Sequence, residues 1–448
     1  MTASEQLAQF AAGSKALPKL CREYKKESAT VHLKELVGGA LSFYAAAAVA
    51  KTGGVHIFVA EDRDAAAYLL NDFYNLLDEK QVYFFPSSYK RSAAYGAEDA
   101  QGVVQRTAAM NAVRGFTKGY LVVCTYPEAL AERVVDAATL QRDTIAVKLG
   151  DKISIAVLED ALADANFTRV DFVYEPGQYS VRGGIVDVFS YSESKPYRID
   201  FFGDEVDSIR RFNISSQLSA DKLDRVEIVP NLNAGEAPRV SFVQFAGSGA
   251  TCWFYDADYV LRRVNDLRRK VLADMEEPGQ IDRLLTSRNV LLRDMAGNSV
   301  VALRDNLPER PATAAVVFDT APQPKFNKNF EMLADDMIRN SLRGYATYIL
   351  SENKVQVERL ENIFHQIGRG QAAVRSLSVT LHEGFVDNDL KLCLYTDHQI
   401  FDRYQRYRIN GEIRRDEQMT VAELNQLKPG DYVVHIDHGV GRFGGLVK

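Results

Sequence analysis

Apolar and polar positions in the first third of the chain follow two alternating periods. VHLKELV and VHIFVA are short apolar runs rich in β-branched residues, and each leads into a segment of helical period. Gly38-Gly39 breaks the first run before LSFYAAAAVAK, a predicted helix. The second precedes DRDAAAYLLNDFYNLL, an amphipathic helix with Asp62 or Asp64 at its cap. QVYFFP and YLVVCT read as further strands, and YPEALAERVV as a helix with Pro127 in its first turn. Strands alternating with helices predict a mostly parallel α/β sheet.

The pattern changes near residue 144. One helix, ISIAVLEDALADA, is followed by strand patterns only, from FTRVDFVY to LDRVEIVP, punctuated by Gly177, Gly183-Gly184 and Gly203-Asp204. This predicts an inserted α+β unit with an antiparallel sheet. Beyond it, DADYVLRRVNDLRRKVLADMEE carries a helical apolar seam with arginines outside it. Prolines at 308, 311, 322 and 324 mark the stretch 305–328 as a linker. A second, smaller α/β unit follows: helix FEMLADDMIRNSL, strand YATYILS, helix ENKVQVERLENIFHQI, strands VRSLSVTL and LKLCLYT, helix DHQIFDRYQRY. INGEIRRDEQMT reads as a polar connector. LKPGDYVVHIDHGVGRFGGLVK has a β pattern too short to bury a core, so the expectation is a β-barrel cut off after its start.

Composition narrows the class. A length of 448 residues gives a prior of about three domains. With 46% hydrophobic and 25% charged residues the chain is neither disordered nor collagen-like. The alanine-rich run near Ala45 to Ala50 is too short to span a bilayer, and MTASEQLAQF lacks the order of a signal peptide, so a cytoplasmic protein without a membrane partner is expected. Cys21, Cys124, Cys252 and Cys393 are each more than a hundred residues apart, which fits a reducing compartment and excludes a paired-cysteine zinc site. The net charge is −6, and residues 144–228 hold 10 Lys/Arg against 15 Asp/Glu. Nucleic-acid binding would need local patches, with 403–415 the richest in arginine.

Gly38, Gly39 and Ser42 stand between a strand and a helix, where a phosphate-binding loop would sit. The chain contains no Gly-Lys dipeptide, so the lysine that meets the β/γ phosphates is missing. A degenerate loop that only turns the chain is the expectation. Asp204-Glu205-Val206-Asp207 resembles an acidic Mg²⁺ motif but lies in Gly-Asp turn chemistry. His435 and His438 fall on opposite faces of a strand, so no metal site is expected. Arg262, Arg263, Arg268 and Arg269 read as a solvated helix face. Arg182, Arg198 and Arg211 lie on strands among Tyr179, Phe189, Tyr197, Phe201 and Phe202. Arginine beside aromatics suits a protein interface, and internal salt bridges to nearby carboxylates suit it equally.

The segment EPGQYSVRGGIVDVFSYSESKPYRIDFFGDEVDSIRRF (Glu175 to Phe212) resembles the module shared by the excision-repair protein UvrB and the Mfd-type transcription-repair coupling factors. LYTDHQIFDRYQRYR followed by LKPGDYVVHIDHGVGRFGGL is similar to the coupling factors' entry into their RNA-polymerase-interacting domain, which UvrB lacks. The resemblance implies a degenerate P-loop/helicase-like parallel-sheet domain 1a at 30–143 and a UvrA-binding α+β domain 2 at 144–228. It implies domain 1b at 1–29 and 229–325, an α/β domain 3 at 326–408 and a linker at 409–427. A polymerase-interacting domain would begin at 428–448. It implies UvrA contacts at Arg182, Arg198 and Phe202, no cofactor and no ATPase in this chain. ATP, Mg²⁺ and DNA would belong to motor domains outside it. The alternative is a UvrB-like active ATPase or helicase, which needs the absent lysine.

Overall fold

In a computed structural model, residues 2–89 and 99–403 are described apart from 215, 234–236, 276 and 277. Residues 405, 407, 409, 430, 432–435 and 439–442 are described as well. The chain divides into two compact units, 1–411 and 412–448.

The first unit is built on a seven-stranded sheet whose paired strands are all parallel. Its order is Ala314–Val317, Thr30–Lys34, Ser299–Ala302, Thr251–Phe254, Gly54–Val59, Tyr120–Thr125, Val82–Phe84. The four strands read from apolar runs are present, as are the helices Ala40–Thr52 and Arg63–Leu76, the latter capped by Asp62. Three strands carry no alternation and were not foreseen: TCWF, SVVA and AAVV, of which the first two are buried throughout. They pair with strands from residues 30–125, so the division between 30–143 and the segments 1–29 and 229–325 does not follow a break in the core. Helices Ala3–Ala12 and Ala16–Tyr24 place Leu7, Leu17 and Leu20 in that same core.

The 305–328 stretch is not a linker. It contributes the edge strand Ala314–Val317 and then Thr320–Pro322, with Phe318 buried between them. Of its four prolines only Pro322 lies in a strand, and that strand is a sheet edge, where proline is tolerated. The second sheet, Thr320–Pro322, Phe385–Asp387, Leu392–Thr396, Ala346–Leu350, Ser376–Leu377, is mixed and packs with helices Phe330–Leu342 and Lys354–Gln366. The VRSLSVTL strand shrinks to Ser376–Leu377 and the DHQIFDRYQRY helix to Asp397–Ile400. Asp402 takes a left-handed φ of 48°, which ends the helix.

The insert enters on Ile145–Lys148 and leaves on Arg225–Ile228, which pair antiparallel as a stem. Between them lies a six-stranded sheet in the order Ser219–Leu223, Glu205–Phe212, Tyr197–Phe202, Ile185–Val188, Gln178–Arg182, Thr168–Arg169. Helix Ile155–Asp164 supplies Leu158 and Leu162 to a core separate from the main one, shared with Val186, Val188, Ile199 and Ile209 of the sheet. The opposite face of the sheet is thereby left outward. All four cysteines are buried thiols.

In the second unit, Tyr432–His435 and Gly439–Arg442 form an antiparallel hairpin. Most of the expected linker 409–427, the arginines at 406, 408, 414 and 415, and His438 lie outside the described residues.

Candidate protein-interaction site

The outward face of the insert sheet is set by its register. Asp187 pairs with Ser180 on one side and Arg198 on the other, and Arg198 pairs with Arg210. The next row is Arg182, Ile185, Asp200, Ser208. Alternation puts Arg198, Asp200 and Phe202 on this face, as the sequence pattern expects. The strand pairing brings Arg182 and Arg198 together through one carboxylate. Arg182 Nη2 donates to Asp187 Oδ2 at 2.5 Å, and Arg198 donates to both Asp187 oxygens from Nε at 2.7 Å and Nη2 at 2.8 Å. The Asp187 side chain is 2% exposed, Arg198 14% and Arg182 38%. These hydrogen bonds to Asp187 push the Arg198 guanidinium pKa further up. Arg198 lies over the Phe212 ring at 4.4 Å, and Arg182 over Phe172 at 4.8 Å. Phe202, at the turn, is 84% exposed.

The internal salt bridges expected of the arginines are present, on Asp187. Arg198 is an internal brace with its edge outward, whereas Arg182 projects further and Phe202 stands outside the insert core. Arg211 is not on this face. It pairs with core-facing Tyr197 and bonds Glu193, while its neighbour Arg210 joins the outward row and bonds Asp200. The Arg210-Arg211 doublet could be resolved only by counting register from the Gly203-Asp204 turn, which the structure shows, through the bulge beyond Asp200.

Gly38 has φ 57° and Gly39 caps helix Ala40–Thr52. A Cβ at Gly39 would land on the carbonyl oxygen of Glu383, well inside van der Waals contact. The 381–384 backbone thus occupies the approach a phosphate would use. Ser42 Oγ donates to Asp72 Oδ2 at 2.6 Å, and Asp72 Oδ1 accepts the His382 N–H at 2.7 Å. Burial pushes the Asp72 carboxyl from 3.8 up to about 7. Beside it lies a cavity of about 390 Å³ with mainly apolar walls, lined by Glu61, Asp72 and Glu383 and, among the described residues, by no lysine or arginine. Gly38, Gly39 and Ser42 are brought together, but they do not fit a nucleotide with Mg²⁺. The hydroxyl is engaged, the cradle is filled and the charge has the wrong sign.

The helix arginines bond local groups: Arg262 to Asp258, Arg263 to Glu128, Arg268 to Asp282 and Arg269 to Asp266. Among the described residues no group of three or more His, Cys, Asp or Glu is arranged to hold a metal, and no helix is long and apolar enough to cross a membrane.

Residues 145–233 match the family model of the UvrB interaction domain, and residues 427–448 that of the CarD-like/TRCF RID domain. The chain is 23% identical over 504 residues to the transcription-repair-coupling factor of Bacillus subtilis, covering 92% of this chain and 42% of that protein. It is 23% identical over 486 residues to that of Escherichia coli, with the same coverages, and 22% over 459 residues to that of Staphylococcus epidermidis, covering 84% and 38%. The chain thus spans about two fifths of the length of these relatives. Both modules occur in this order within a match along most of the chain, which makes the chain similar to the transcription-repair-coupling factors.

Proposed function

We propose that this chain is the recruitment part of a transcription-repair-coupling factor, and that the outward face of its insert binds UvrA of nucleotide excision repair. One observation carries the reading. Arg182 and Arg198 are gathered on a single buried carboxylate, beside a phenylalanine that is almost fully exposed. A pre-organised guanidinium pair next to an apolar anchor has the composition of an interface hot spot. The complementary surface on UvrA is acidic around an apolar recess. In the parent factor, residues 428–448 would begin the contact with RNA polymerase, and an ATP-driven motor elsewhere would move along DNA and displace the stalled enzyme in the cytoplasm.

Titration of the chain with purified UvrA tests this. Saturable binding that weakens as salt rises is expected, and absence of binding at micromolar concentrations overturns the proposal.

In this reading the chain itself neither binds nor hydrolyses ATP. Calorimetry with Mg-ATP is expected to give no heat of binding, because the site offers three carboxylates and no cation to the phosphates. Micromolar binding with turnover that disappears on changing Ser42 would favour the UvrB-like ATPase instead.

A further inference from the structure

Among the described residues, thirteen large apolar side chains stand exposed, and six of them belong to the insert, which is less than a fifth of the chain: Leu149, Val157, Phe172, Tyr174, Phe202 and Leu218. Of the six, Phe172 and Phe202 lie by the outward face that carries Arg182, and apolar side chains exposed together in this way mark a contact surface. Phe172 is the one of these whose ring a guanidinium covers, with Arg182 Cζ 4.8 Å from its centroid.

The loop that carries Phe172 is tied down on both sides. Val170 N–H donates to the Tyr179 carbonyl at 2.9 Å, and the Asp171 carbonyl accepts from Ser180 Oγ at 2.9 Å. Beyond the ring, the Tyr174 and Glu175 amides both donate to Gln178 Oε1, at 2.9 and 3.0 Å. Phe172 is nevertheless 46% exposed, and it is absent from the insert core. An apolar ring held in place but left half in water gains little for the fold. It does spare a partner the cost of ordering it.

Arg182 is fixed from two directions, by the Asp187 carboxylate and by the Phe172 ring, and keeps its remaining edge outward. Past it comes the Gly183-Gly184 turn, whose Gly184 carbonyl accepts the Phe201 N–H at 2.8 Å, and Phe202 is the next residue on that neighbouring strand. Two exposed rings therefore flank one pre-positioned guanidinium. The two outward rows add Arg198, Arg210 and Lys222 to Arg182, against Asp187 and Asp200, and Glu205 opposite Phe202 is a third carboxylate, so positive groups outnumber negative ones by four to three on an insert whose total is acidic.

We infer that Phe172 is a second aromatic anchor of the UvrA-binding face, acting with Arg182 as one stacked recognition element for an acidic, apolar-lined surface. This rests on the recruitment reading above. The face then extends across the glycine turn, from Phe172 through Arg182 to Phe202, beyond the three positions that the family resemblance implies.

The test is UvrA affinity and melting temperature of the full chain carrying Phe172→Ala, Phe172→Leu or Phe172→Trp, with Phe202→Ala as reference. Phe172→Ala should weaken binding on the order of tenfold, Phe172→Leu should weaken it less, and Phe172→Trp should hold it within about twofold, as a stacked cation requires. Melting temperatures should stay within about 2 °C of the parent, since no core volume is lost. Retained affinity in Phe172→Ala, together with loss in Phe202→Ala, overturns this inference and leaves the recruitment reading standing. Retained affinity in both overturns this inference as well and takes Phe202 out of the face, whereas absence of UvrA binding by the parent chain overturns the recruitment reading itself. If Phe172→Leu and Phe172→Trp bind equally weakly while melting falls in both, the ring is a brace for the fold and the inference fails.

Discussion

Phe202→Ala is expected to lower UvrA affinity by about 2–4 kcal/mol, roughly 30- to 1,000-fold, while leaving thermal stability unchanged. The side chain is 84% exposed and makes no contribution to the insert core, so truncation removes nothing the fold depends on. Arg198→Ala should behave differently. Its guanidinium supplies two hydrogen bonds to Asp187, whose carboxylate is almost wholly buried, and it covers the Phe212 ring. Removing it leaves Arg182 as the remaining charged partner of Asp187, a loss of about 1–3 kcal/mol in stability on top of any loss in affinity. Arg182, more exposed and held also by the Phe172 ring, should lose less stability than Arg198. Measuring affinity and melting on the three variants separates the roles. A Phe202→Ala chain that binds UvrA normally would remove the anchor from the interface, and an Arg198→Ala chain that melts like the parent would remove the brace.

What could be read along the chain follows from which periods are local. The strand–helix repeat of residues 30–125 and the helix-then-strands pattern of the insert both appear in the structure. Their signals lie within windows of about ten residues. TCWF, SVVA and AAVV had no such signal. Each has four residues, no alternation, and partners far away in sequence, Cys252 with Ile57 and Val31 with Ala314. A parallel strand covered on both faces loses the polar marks that would reveal it. The proline-rich stretch around Ala314–Val317 misled for the same reason, since edge position, which tolerates proline, is a property of the finished sheet. At the interaction face, Arg182, Arg198 and Phe202 could be named but not connected, because Asp187 joins the two arginines only through the pairing of three strands. The absence of a lysine was visible near Gly39. The Glu383 carbonyl that fills the approach was not, because it comes from more than three hundred residues downstream.

That filled approach makes a prediction about pH. Asp72 sits at the junction, accepting from Ser42 and from the His382 amide, and its burial raises its pKa from 3.8 to about 7. A carboxyl whose folded pKa lies above its unfolded value binds more protons when folded. Stability therefore falls as pH rises through the interval from about 4 to about 7, and levels off above it. The slope there is about 1.4 kcal/mol per pH unit for one such group. Asp72→Asn removes the titration and can keep the contacts. Its Oδ1 accepts the His382 amide, its Nδ2 donates to Ser42 Oγ, and the Ser42 hydroxyl turns to the Gly39 carbonyl, already 3.1 Å away. The stability of Asp72→Asn relative to the parent should thus grow by on the order of 3 kcal/mol between pH 5 and pH 8. Urea unfolding of both proteins at the two pH values measures it. An equal difference at both would show that Asp72 is already ionised at pH 5. The junction would then be held by an ordinary carboxylate, and a proton would play no part in seating the 381–384 segment where a phosphate would otherwise lie.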